Sequence, residues 1–344
     1  MPAQAPHILA HAPILMPGNP PSGQDHPAGD SAAPEFHHIP VLLDAVLGFV
    51  PPEARLLVDA TLGGAGHALA MLEAHPQVHL LGCDRDPDAI QAAQYRLAAH
   101  GGRVMVRQCP FSQLPHHVLS GSVDFLLADL GVSSHQLGSR ERGFLFGSDG
   151  PLLMTMDGPD ASETAASLLA RLGESALVRI LRDYGEERHA MRIARAIVRA
   201  REEAPLETTV QLSRIIFNAV PAAYRHGRIH PATRTFQALR IAVNDELGEL
   251  DRLLAAIPPL MAPGGRVALI SFHSLEDRRV KNTFRDWESP CTCPPAMPAC
   301  ICGATPLGIR LTRKAERPGP EEIARNPRSR SARLRVFQMA GGQP

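Results

Sequence analysis

A glycine-rich turn at residues 59–67 is the first place where residue types and spacing suggest chemistry. The turn reads DATLGGAGH and joins an apolar run to a helical pattern. Gly63, Gly64 and Gly66 allow positive φ angles and let a ligand come close to the backbone. The turn matches neither the GxGxxG pattern of dinucleotide sites nor the GxxxxGK[ST] pattern of phosphate loops. It therefore predicts a ligand site, with an ordinary tight turn as the alternative.

The next apolar run, HLLGC, ends in Asp84, which lies 18 residues after Gly66. At the carboxyl edge of a parallel sheet, such a carboxylate can accept hydrogen bonds from both ribose hydroxyls of an adenosine ligand. The alternative role is to cap the helix that begins near Pro87, and that role suits Asp86 or Asp88 better. The turn and Asp84 together predict a cofactor that contains adenosine.

The elements that must position these residues are short apolar runs that alternate with helical patterns. This alternation predicts a parallel α/β sheet. Helices are expected near residues 67–75, 88–100 and 275–287. Strands are expected at residues 55–60, 79–84, 103–109, 123–130, 266–272, 307–312 and 332–338.

The strand pattern stops between residues 138 and 256, where the sequence has a helical pattern throughout. An insert between the fourth and fifth strands of one sheet fits this arrangement better than two consecutive domains. We therefore predict a discontinuous sheet domain at residues 35–137 and 257–340, with an all-helical substrate-recognition insert at 138–256. Residues 1–34 are rich in Pro, Ala, Gly and His and are predicted to be a disordered tail.

Composition excludes several classes of protein. The 344 residues carry 35 basic and 35 acidic side chains, which excludes a uniformly basic nucleic-acid binder. Residues 1–170 have a net charge of −10, however, whereas residues 171–240 and 305–344 have +6 each. No apolar run of about 18 residues could span a membrane, and the N-terminus does not resemble a secretory signal. Six cysteines are too few for a disulfide scaffold. We expect a cytoplasmic protein.

Longer motifs carry a specific resemblance. Besides the turn, they are CPFS at 109–112, DLGVSSHQ at 129–136, RGF at 142–144, YGEER at 184–188, HPATRTFQ at 230–237 and ISFHSLEDR at 270–278. In these motifs the chain resembles the ribosomal RNA small subunit methyltransferase H family. The resemblance extends from about residue 36 to residue 337, so that only the N-terminal tail and a cysteine-containing segment fall outside it.

The resemblance implies a class I, Rossmann-like methyltransferase fold with S-adenosyl-L-methionine as the cofactor. The implied reaction is methylation of the exocyclic N4 of a decoding-centre cytidine in 16S rRNA, with the small ribosomal subunit as partner. The implied cofactor contacts are Ala65, Gly66, His67, Asp84, Phe111, Asp129 and Gln136. One alternative is a non-catalytic RNA-binding or assembly factor, against which the intact turn and the acids argue. Another is a nucleotide-cofactor oxidoreductase, against which the absence of GxGxxG argues.

Methylation of cytosine N4 needs a group that orients the amine and one that accepts its proton, because the lone pair is conjugated with the ring. Asp129 is expected to orient either this amine or the ammonium group of the cofactor. Enzymes that methylate exocyclic amines often carry an Asp/Asn-Pro-Pro-aromatic segment there. This chain has DLGV at 129–132, so the group that contacts N4 stays open. His273 is a second candidate, as a base or a substrate hydrogen-bond partner; a capping and packing role for Ser274 and Glu276 is the alternative.

A row of arginines falls in the predicted insert. This arginine face consists of Arg188, Arg192, Arg195 and Arg199. Spacings of 4, 3 and 4 residues place the four on one side of a helix. Together with Arg234 of the HPATRTFQ motif, they are predicted to contact RNA phosphates. The alternative is a solvated helix face paired with Glu186 and Glu187.

Four cysteines lie close together near the C-terminus. Cys291, Cys293, Cys300 and Cys302 form the pattern CxC-x6-CxC in a Pro-rich segment. Four thiolates can close a tetrahedral zinc site, although gaps of one residue are tighter than the usual two to four. Surface thiols and redox pairs are the alternatives. The sequence therefore leaves this question open, and no metal ligand is assigned from it.

Overall fold

The computed structural model describes residues 39–158, 160–227, 229–294, 297 and 301–341. The predicted tail at residues 1–34 lies outside the described residues, and so does Cys300. Within this part of the chain, no helix combines the length and the apolar character needed to cross a membrane.

Seven strands form one mixed sheet. They are β1 (Leu56–Asp59), β2 (His79–Asp84), β3 (Val104–Gln108), β4 (Val123–Asp129), β5 (Met261–Ser271), β6 (Gly308–Arg310) and β7 (Arg333–Met339). Their order across the sheet is β3-β2-β1-β4-β5-β7-β6. Of these seven strands, β7 runs in the direction opposite to the other six. Each strand lies where the sequence predicts it. β5 begins earlier than expected because Met261 pairs with Val123 ahead of a register shift.

The described residues also form thirteen α-helices. They are α1 (Leu43–Phe49), α2 (Gly66–Ala74), α3 (Pro87–Arg96), α4 (Ser134–Gly138), α5 (Ala165–Arg171), α6 (Glu174–Asp183), α7 (Ala190–Glu203), α8 (Thr209–Ala219), α9 (Ala222–Arg225), α10 (Ala232–Asn244), α11 (Glu246–Leu260), α12 (Ser274–Glu288) and α13 (Pro320–Arg325).

Helices cover both faces of the sheet. On one face, α1 and α2 bury Val46 and Met71 against the strands; on the other, α11 and α12 bury Leu253 and Phe284. Central strands are therefore apolar on both sides, and Phe125 of β4 is fully buried. This double burial explains why the strands appear in the sequence as nearly continuous apolar runs.

The helices between β4 and β5 have a hydrophobic core of their own. Leu177 of α6, Ile193 of α7 and Phe236 of α10 meet in it. The last helix before β5, α11, packs instead against the sheet through Leu250, Leu253 and Ile257. The predicted end of the insert at residue 256 therefore falls within a helix that packs on the sheet, and the bounds of the insert stay a prediction.

The strand order diverges between β1 and β4, since β2 and β3 extend the sheet on one side and β5 on the other. In open α/β sheets, ligands bind outside the carboxyl ends of the strands at such a point. Here those ends carry Asp59 on β1, Asp84 on β2 and Asp129 on β4. The fold thus brings three strand-final acids to one edge of the sheet.

Candidate active site

A pocket lies at the carboxyl ends of β1, β2 and β4. It is lined by the turn after β1, by residues that follow β3 and β4, and by parts of α11 and α12. Six of the seven residues predicted to contact the cofactor line this pocket: Gly66, His67, Asp84, Phe111, Asp129 and Gln136. The seventh, Ala65, is fully buried within the turn. The pocket therefore brings these predicted residues together, while their contacts with a cofactor stay predictions.

The turn between β1 and α2 has positive φ at Gly63 (49°) and at Ala65 (58°). Gly63 thus adopts the positive φ that glycine allows, whereas Gly64 and Gly66 do not. An alanine in the left-handed region costs about 1 kcal/mol or more. The surrounding turn holds it there, with a 2.8 Å hydrogen bond from Ala65 N to Leu62 O.

Asp84 ties this turn to the start of α3. Its Oδ2 accepts a hydrogen bond from Gly63 N (2.8 Å), and its Oδ1 accepts one from Asp86 N (2.9 Å). Burial raises the pKa of Asp84 to about 6, although these hydrogen bonds lower it. A carboxylate oxygen can accept more than one hydrogen bond, so Asp84 can hold the turn and still bind a ligand. Asp86, as expected, is the residue that caps α3.

Two further acids lie at this edge of the sheet: Asp129 lines the pocket, and Asp59 is buried and does not line it. Burial raises the pKa of Asp59 to about 7. Burial also raises the pKa of Asp129 well above its usual range, with further contributions from the nearby charges of Asp59 and Glu276. Asp129 Oδ1 is buried and has no hydrogen-bond partner among the described residues. Such a cluster favours a positively charged ligand, because a cation offsets the charge that burial penalises.

His67 and Phe111 line the pocket from different elements. His67 lies in the first turn of α2, with Nε2 2.9 Å from Val41 O and Nδ1 3.9 Å from Asp129 Oδ2. Phe111 begins a short 3-10 helix after β3, where its partly buried ring packs against the core of the sheet. The side of the ring that lines the pocket offers an apolar face for a flat aromatic group.

Gln136 belongs to a buried polar network that joins α4 to α3. Its Nε2 donates to Asp86 Oδ2 (2.6 Å), and its Oε1 accepts a hydrogen bond from Ser133 N (2.9 Å). Arg142 is 4% exposed and lies 3.0 and 3.2 Å from the two carboxylate oxygens of Asp86. Because the amide of Gln136 is engaged within the protein, its predicted contact with the methionine end of the cofactor stays a prediction.

His273 is the N-cap of α12 and is not among the residues that line the pocket. It forms a capping box with Glu276, in which Glu276 N is 3.5 Å from His273 Nδ1. Glu276 itself lines the pocket and is almost fully buried. Burial raises the pKa of Glu276, but the contacts with His273 and Arg240 lower it by more. The pKa of Glu276 therefore lies below its usual value. The geometry resembles the capping alternative, with His273 in the place of Ser274.

Three charged residues that the sequence analysis did not single out also line the pocket. They are Arg85, which follows β2, and Glu246 and Glu249 of α11. Glu246 pairs with Arg240 at 2.8 and 2.9 Å, and Arg85 pairs with Asp157. The two glutamates belong to a helix far along the chain from β4, so no local spacing signals them.

The arginine face is exposed on α7 and in the residues just before it. The opposite side of α7 buries Ile193 and Ile197 in the helical core. Arg195 donates to Glu174 of α6 at 3.4 Å. Within the described part of the chain, Arg188, Arg192 and Arg199 form no hydrogen bond or ion pair. Three of the four guanidinium groups are therefore available to an anionic partner.

The acids that the alternative interpretation assigned to this face lie elsewhere. Glu187 is buried and accepts a hydrogen bond from the Tyr224 hydroxyl (3.3 Å). Glu186 accepts a hydrogen bond from the Ser274 hydroxyl (3.1 Å) at the start of α12. Arg234, on α10, donates to Glu186 O (3.1 Å). Arg234 thus contacts the residues between α6 and α7 from α10, apart from the arginine face.

Residues 35–340 of the chain match the family model described as the MraW methylase family. The chain belongs to the MraW methylase family. Its relatives include Ribosomal RNA small subunit methyltransferase H of Geobacter sp. (strain M21), which is 50% identical over 309 residues, 88% of this chain and 99% of that protein. The protein of the same name from Symbiobacterium thermophilum is 48% identical over 314 residues, 90% of this chain and 98% of that protein.

Membership of the MraW methylase family confirms several predictions: the family resemblance, the Rossmann-like α/β fold, the methyltransferase class and S-adenosyl-L-methionine as the cofactor. The pocket fits this cofactor chemically. The buried Asp129 Oδ1 has no described hydrogen-bond partner, and the strand-final acids favour a ligand that carries positive sulfonium and ammonium groups.

Proposed function

We propose that this methylase transfers a methyl group to the exocyclic N4 of a decoding-centre cytidine in 16S rRNA. The observation that carries the proposal is the acidic pocket at the ends of β1, β2 and β4, in a chain whose relatives are named as small subunit rRNA methyltransferases. Such a reaction uses the small ribosomal subunit or its rRNA as partner and takes place in the cytoplasm.

Three parts of the pocket would hold S-adenosyl-L-methionine. Asp84 would accept hydrogen bonds from the ribose hydroxyls, and the ring of Phe111 would cover the adenine. Asp129, at the end of β4, would lie beside the positively charged end of the molecule. When bound, the cofactor supplies the methyl group, and its positive sulfur makes the remainder a good leaving group.

Asp129 is the residue that we assign to the N4 amine. Methylation adds one carbon to N4 and removes one proton from it, so an acceptor beside the amine is needed. Asp129 Oδ1 is buried without a described partner, and its raised pKa makes the ionised carboxylate a stronger base than an exposed aspartate. The carboxylate would accept a hydrogen bond from an N–H group of the amine and so align the nitrogen lone pair with the methyl group. It would then take up the proton that N4 releases.

The arginine face would bind the RNA backbone. Three of its four side chains are exposed and without a hydrogen bond or ion pair in the described residues, so they can contact phosphates without breaking existing pairs. A cytosine reaches a pocket of this kind only if it is turned out of its stack, because the N4 amine is inaccessible within a helix. Arg234 would act indirectly, through the position of Glu186 and α12.

A methyl-transfer assay tests the proposal. Small ribosomal subunits and naked 16S rRNA from cells that lack this protein are incubated with the enzyme and S-adenosyl-L-methionine labelled in the methyl group. We expect N4-methylcytidine at one position of the decoding-centre fragment, identified by mass spectrometry of nuclease digests. Labelling at carbon 5 or at a ribose would overturn the proposal. A protein that binds the cofactor but labels neither substrate would indicate the assembly-factor alternative.

A further inference from the structure

The described residues of the segment that joins α12 to β6 have almost no buried surface. Of its described residues between 291 and 307, all are exposed except Cys293, and none lies in a helix or strand. Its ends are closed by a hydrogen bond from Leu307 N to Trp287 O (2.8 Å) and by the pairing of Arg310 with Glu288. Hydrophobic burial therefore cannot order this segment, since ordering a chain costs about 1–2 kcal/mol per residue.

Three cysteine side chains nevertheless converge within it. The Sγ atoms of Cys291, Cys293 and Cys302 all lie within 4.8 Å of one another, and those of Cys291 and Cys302 are 3.7 Å apart. Four thiolates at about 2.3 Å from a zinc ion are about 3.8 Å apart along the edges of the tetrahedron. A disulfide would require a separation of about 2.05 Å. The separation of Cys291 and Cys302 is close to that of two thiolates on one zinc ion and is too long for a disulfide.

The backbone around these sulfur atoms fits the same interpretation. Ile301 N donates to Cys293 Sγ (3.4 Å), and an N–H directed at sulfur stabilises its thiolate form. Gly303, which follows Cys302, has a φ of 64°, so the chain turns sharply just after the last cysteine. The backbone amide of Ile301 thus lies against the sulfur cluster.

We propose that Cys291, Cys293 and Cys302 bind a structural Zn²⁺ ion. Thiolates are soft ligands that favour zinc, whereas magnesium and calcium prefer oxygen ligands. Cys300, the fourth cysteine of the sequence pattern, lies outside the described residues. The ion would cross-link the segment between α12 and β6. This cross-link would reduce the conformational freedom of the segment.

Metal analysis of the full-length protein tests this site. Protein purified under reducing conditions and without chelator should contain about one zinc ion per chain. In the double variant Cys291→Ser/Cys302→Ser, we expect the zinc content to fall at least about tenfold, because the variant removes two of the three proposed thiolate ligands. Thr292→Ala is the matched control, since Thr292 is exposed between two of the cysteines and should leave the zinc content unchanged.

Two further measurements keep the result interpretable. Binding of S-adenosyl-L-methionine by calorimetry should be the same in all variants, which shows that the sheet domain is folded. Protein loaded with Co²⁺ should show thiolate-to-cobalt charge-transfer absorption that disappears in the double variant. The proposal is overturned if the wild-type protein has neither zinc nor this absorption, if its cysteines are recovered as disulfides, or if the double variant keeps its zinc.

A second, independent observation concerns the only two lysines of the chain, Lys281 and Lys314. Both line one cavity, which we call the lysine cleft. Its other lining residues are Asp277, Arg313, Ala315, Arg317, Arg333 and Arg335. Six of the eight side chains are therefore basic and one is acidic, in a chain that has no net charge overall.

The single acid of the lysine cleft is already paired. Asp277 Oδ1 accepts a hydrogen bond from Arg335 Nε (2.7 Å), and Oδ2 accepts one from Arg333 Nη1 (3.0 Å). Burial raises the pKa of Asp277, but the two arginines lower it by more. The pKa of Asp277 therefore lies below its usual value. The remaining four basic side chains are exposed and form no hydrogen bond or ion pair in the part of the chain that is described. Their positive charge is available to an anion.

The lysine cleft lies at the same edge of the sheet as the pocket. Arg333, at the start of β7, pairs in register with Ser271, the last residue of β5. β5 is parallel to β4, so its end lies at the edge where Asp129 ends β4. A polyanion that has one of its repeating units bound in the pocket can therefore extend along this edge of the sheet to the lysine cleft.

We infer that the lysine cleft binds backbone phosphates of the RNA substrate, an inference that rests on the proposed function. Because the chain has only two lysines, chemical acetylation followed by mass spectrometry reports on this cleft directly. We expect the small-subunit RNA to protect both lysines, while the N-terminal amine, the internal reference, stays reactive. The variant Lys281→Ala/Lys314→Ala should bind the RNA about tenfold more weakly and with a salt slope smaller by about one to two.

The outcomes separate this inference from the proposed function. Methylation without protection of the lysines, or with unchanged affinity in the double variant, overturns the cleft and leaves the function intact. Absence of methylation counts against the function, and protection of both lysines by the same RNA would still support the cleft as a phosphate site.

Discussion

At the scale of single residues, the pocket depends on buried carboxylates, and ionising a buried carboxylate costs free energy. Asp84 and Asp129 lie at strand ends, where burial raises the pKa of each. A protein that only needed a stable turn would not gather such groups, because unpaired buried acids destabilise the fold. Their cost is explained if a positively charged cofactor offsets it.

Replacing Asp84 by Asn should raise the dissociation constant of S-adenosyl-L-methionine roughly 10- to 100-fold, since a hydrogen bond to a charged group is worth about 1.5–3 kcal/mol. Isothermal titration calorimetry measures the change. Asp183→Asn, which alters an exposed acid on α6, should bind the cofactor as the wild-type protein does. Unchanged affinity in a folded Asp84→Asn protein would remove Asp84 from the site.

Replacing Asp129 by Asn should lower kcat for methyl transfer about 100-fold or more, because the proton acceptor is lost. The dissociation constant of the cofactor should rise by a smaller factor than kcat falls, since Asn keeps the shape of the side chain and loses only its charge. Single-turnover kinetics and calorimetry separate the two quantities. The opposite pattern, with kcat retained and cofactor binding weakened, would assign Asp129 to the ammonium group of the cofactor instead of the amine.

At the scale of elements, the pocket depends on contacts between segments that are distant in the chain. The segment after β4 is fastened to α3 by the buried contacts of Arg142 and Gln136 with Asp86. Arg142 also donates to the backbone oxygen of Thr155 (3.1 Å). One guanidinium group thus joins three segments around one side of the pocket.

Replacing Arg142 by Ala should lower the free energy of unfolding by about 3–5 kcal/mol, because it leaves the buried charge of Asp86 without its cation. Urea denaturation measures this quantity. Arg140→Ala is the control, since Arg140 is exposed two residues away. Adding Asp86→Asn to Arg142→Ala should recover part of the loss. An effect of Arg142→Ala no larger than that of the control would contradict the role of this network.

The arginine face belongs to the same scale, because α7 and the residues just before it present its side chains together. The variant Arg188→Ala/Arg192→Ala/Arg199→Ala should weaken RNA binding and reduce the slope of log K against log salt by about two to three, one unit or slightly less for each lost phosphate contact. Filter binding across a KCl series measures both. Arg171→Ala, whose partner is Glu163, should leave the slope unchanged. Equal slopes for the two variants would exclude the arginine face from the interface.

At the scale of the whole molecule, stability and cofactor binding are coupled through pH. The folded-state pKa values of Asp59 and Asp84, about 7 and about 6, lie above the ordinary value of 3.8. The folded apoprotein therefore keeps protons that the unfolded chain has lost, and its stability falls as pH rises from about 4 to about 7. A cationic cofactor favours the ionised acids, so its affinity should rise across the same range.

Thermal unfolding with and without S-adenosyl-L-methionine, measured from about pH 5 to about pH 8, checks this coupling. The rise in Tm caused by the cofactor should grow with pH. Asp59→Asn should raise the Tm of the apoprotein at the upper end of the range, because the variant removes a buried charge. A cofactor effect on Tm that is the same at every pH would contradict the coupling.

The sequence by itself determined the sheet and the position of its ligand edge. Strands that are buried on both faces need nearly continuous apolar runs, and such a run must end where a charge appears, so β2 and β4 end at Asp84 and Asp129. The turn after β1 was predictable for the same local reason. Its detail was not, because the left-handed conformation at Ala65 is imposed by the hydrogen bonds around it.

Only the tertiary structure decided what faces these strand ends. Glu246 and Glu249 reach the pocket because α11 returns to pack on the sheet after the helical segment, and no local spacing encodes that return. Sequence spacing likewise left the cysteines open between metal ligands and redox pairs, whereas folding brings three of their sulfur atoms within 4.8 Å. Local periodicity sets where strands begin and end, while burial of distant segments against one another sets which charges share a site.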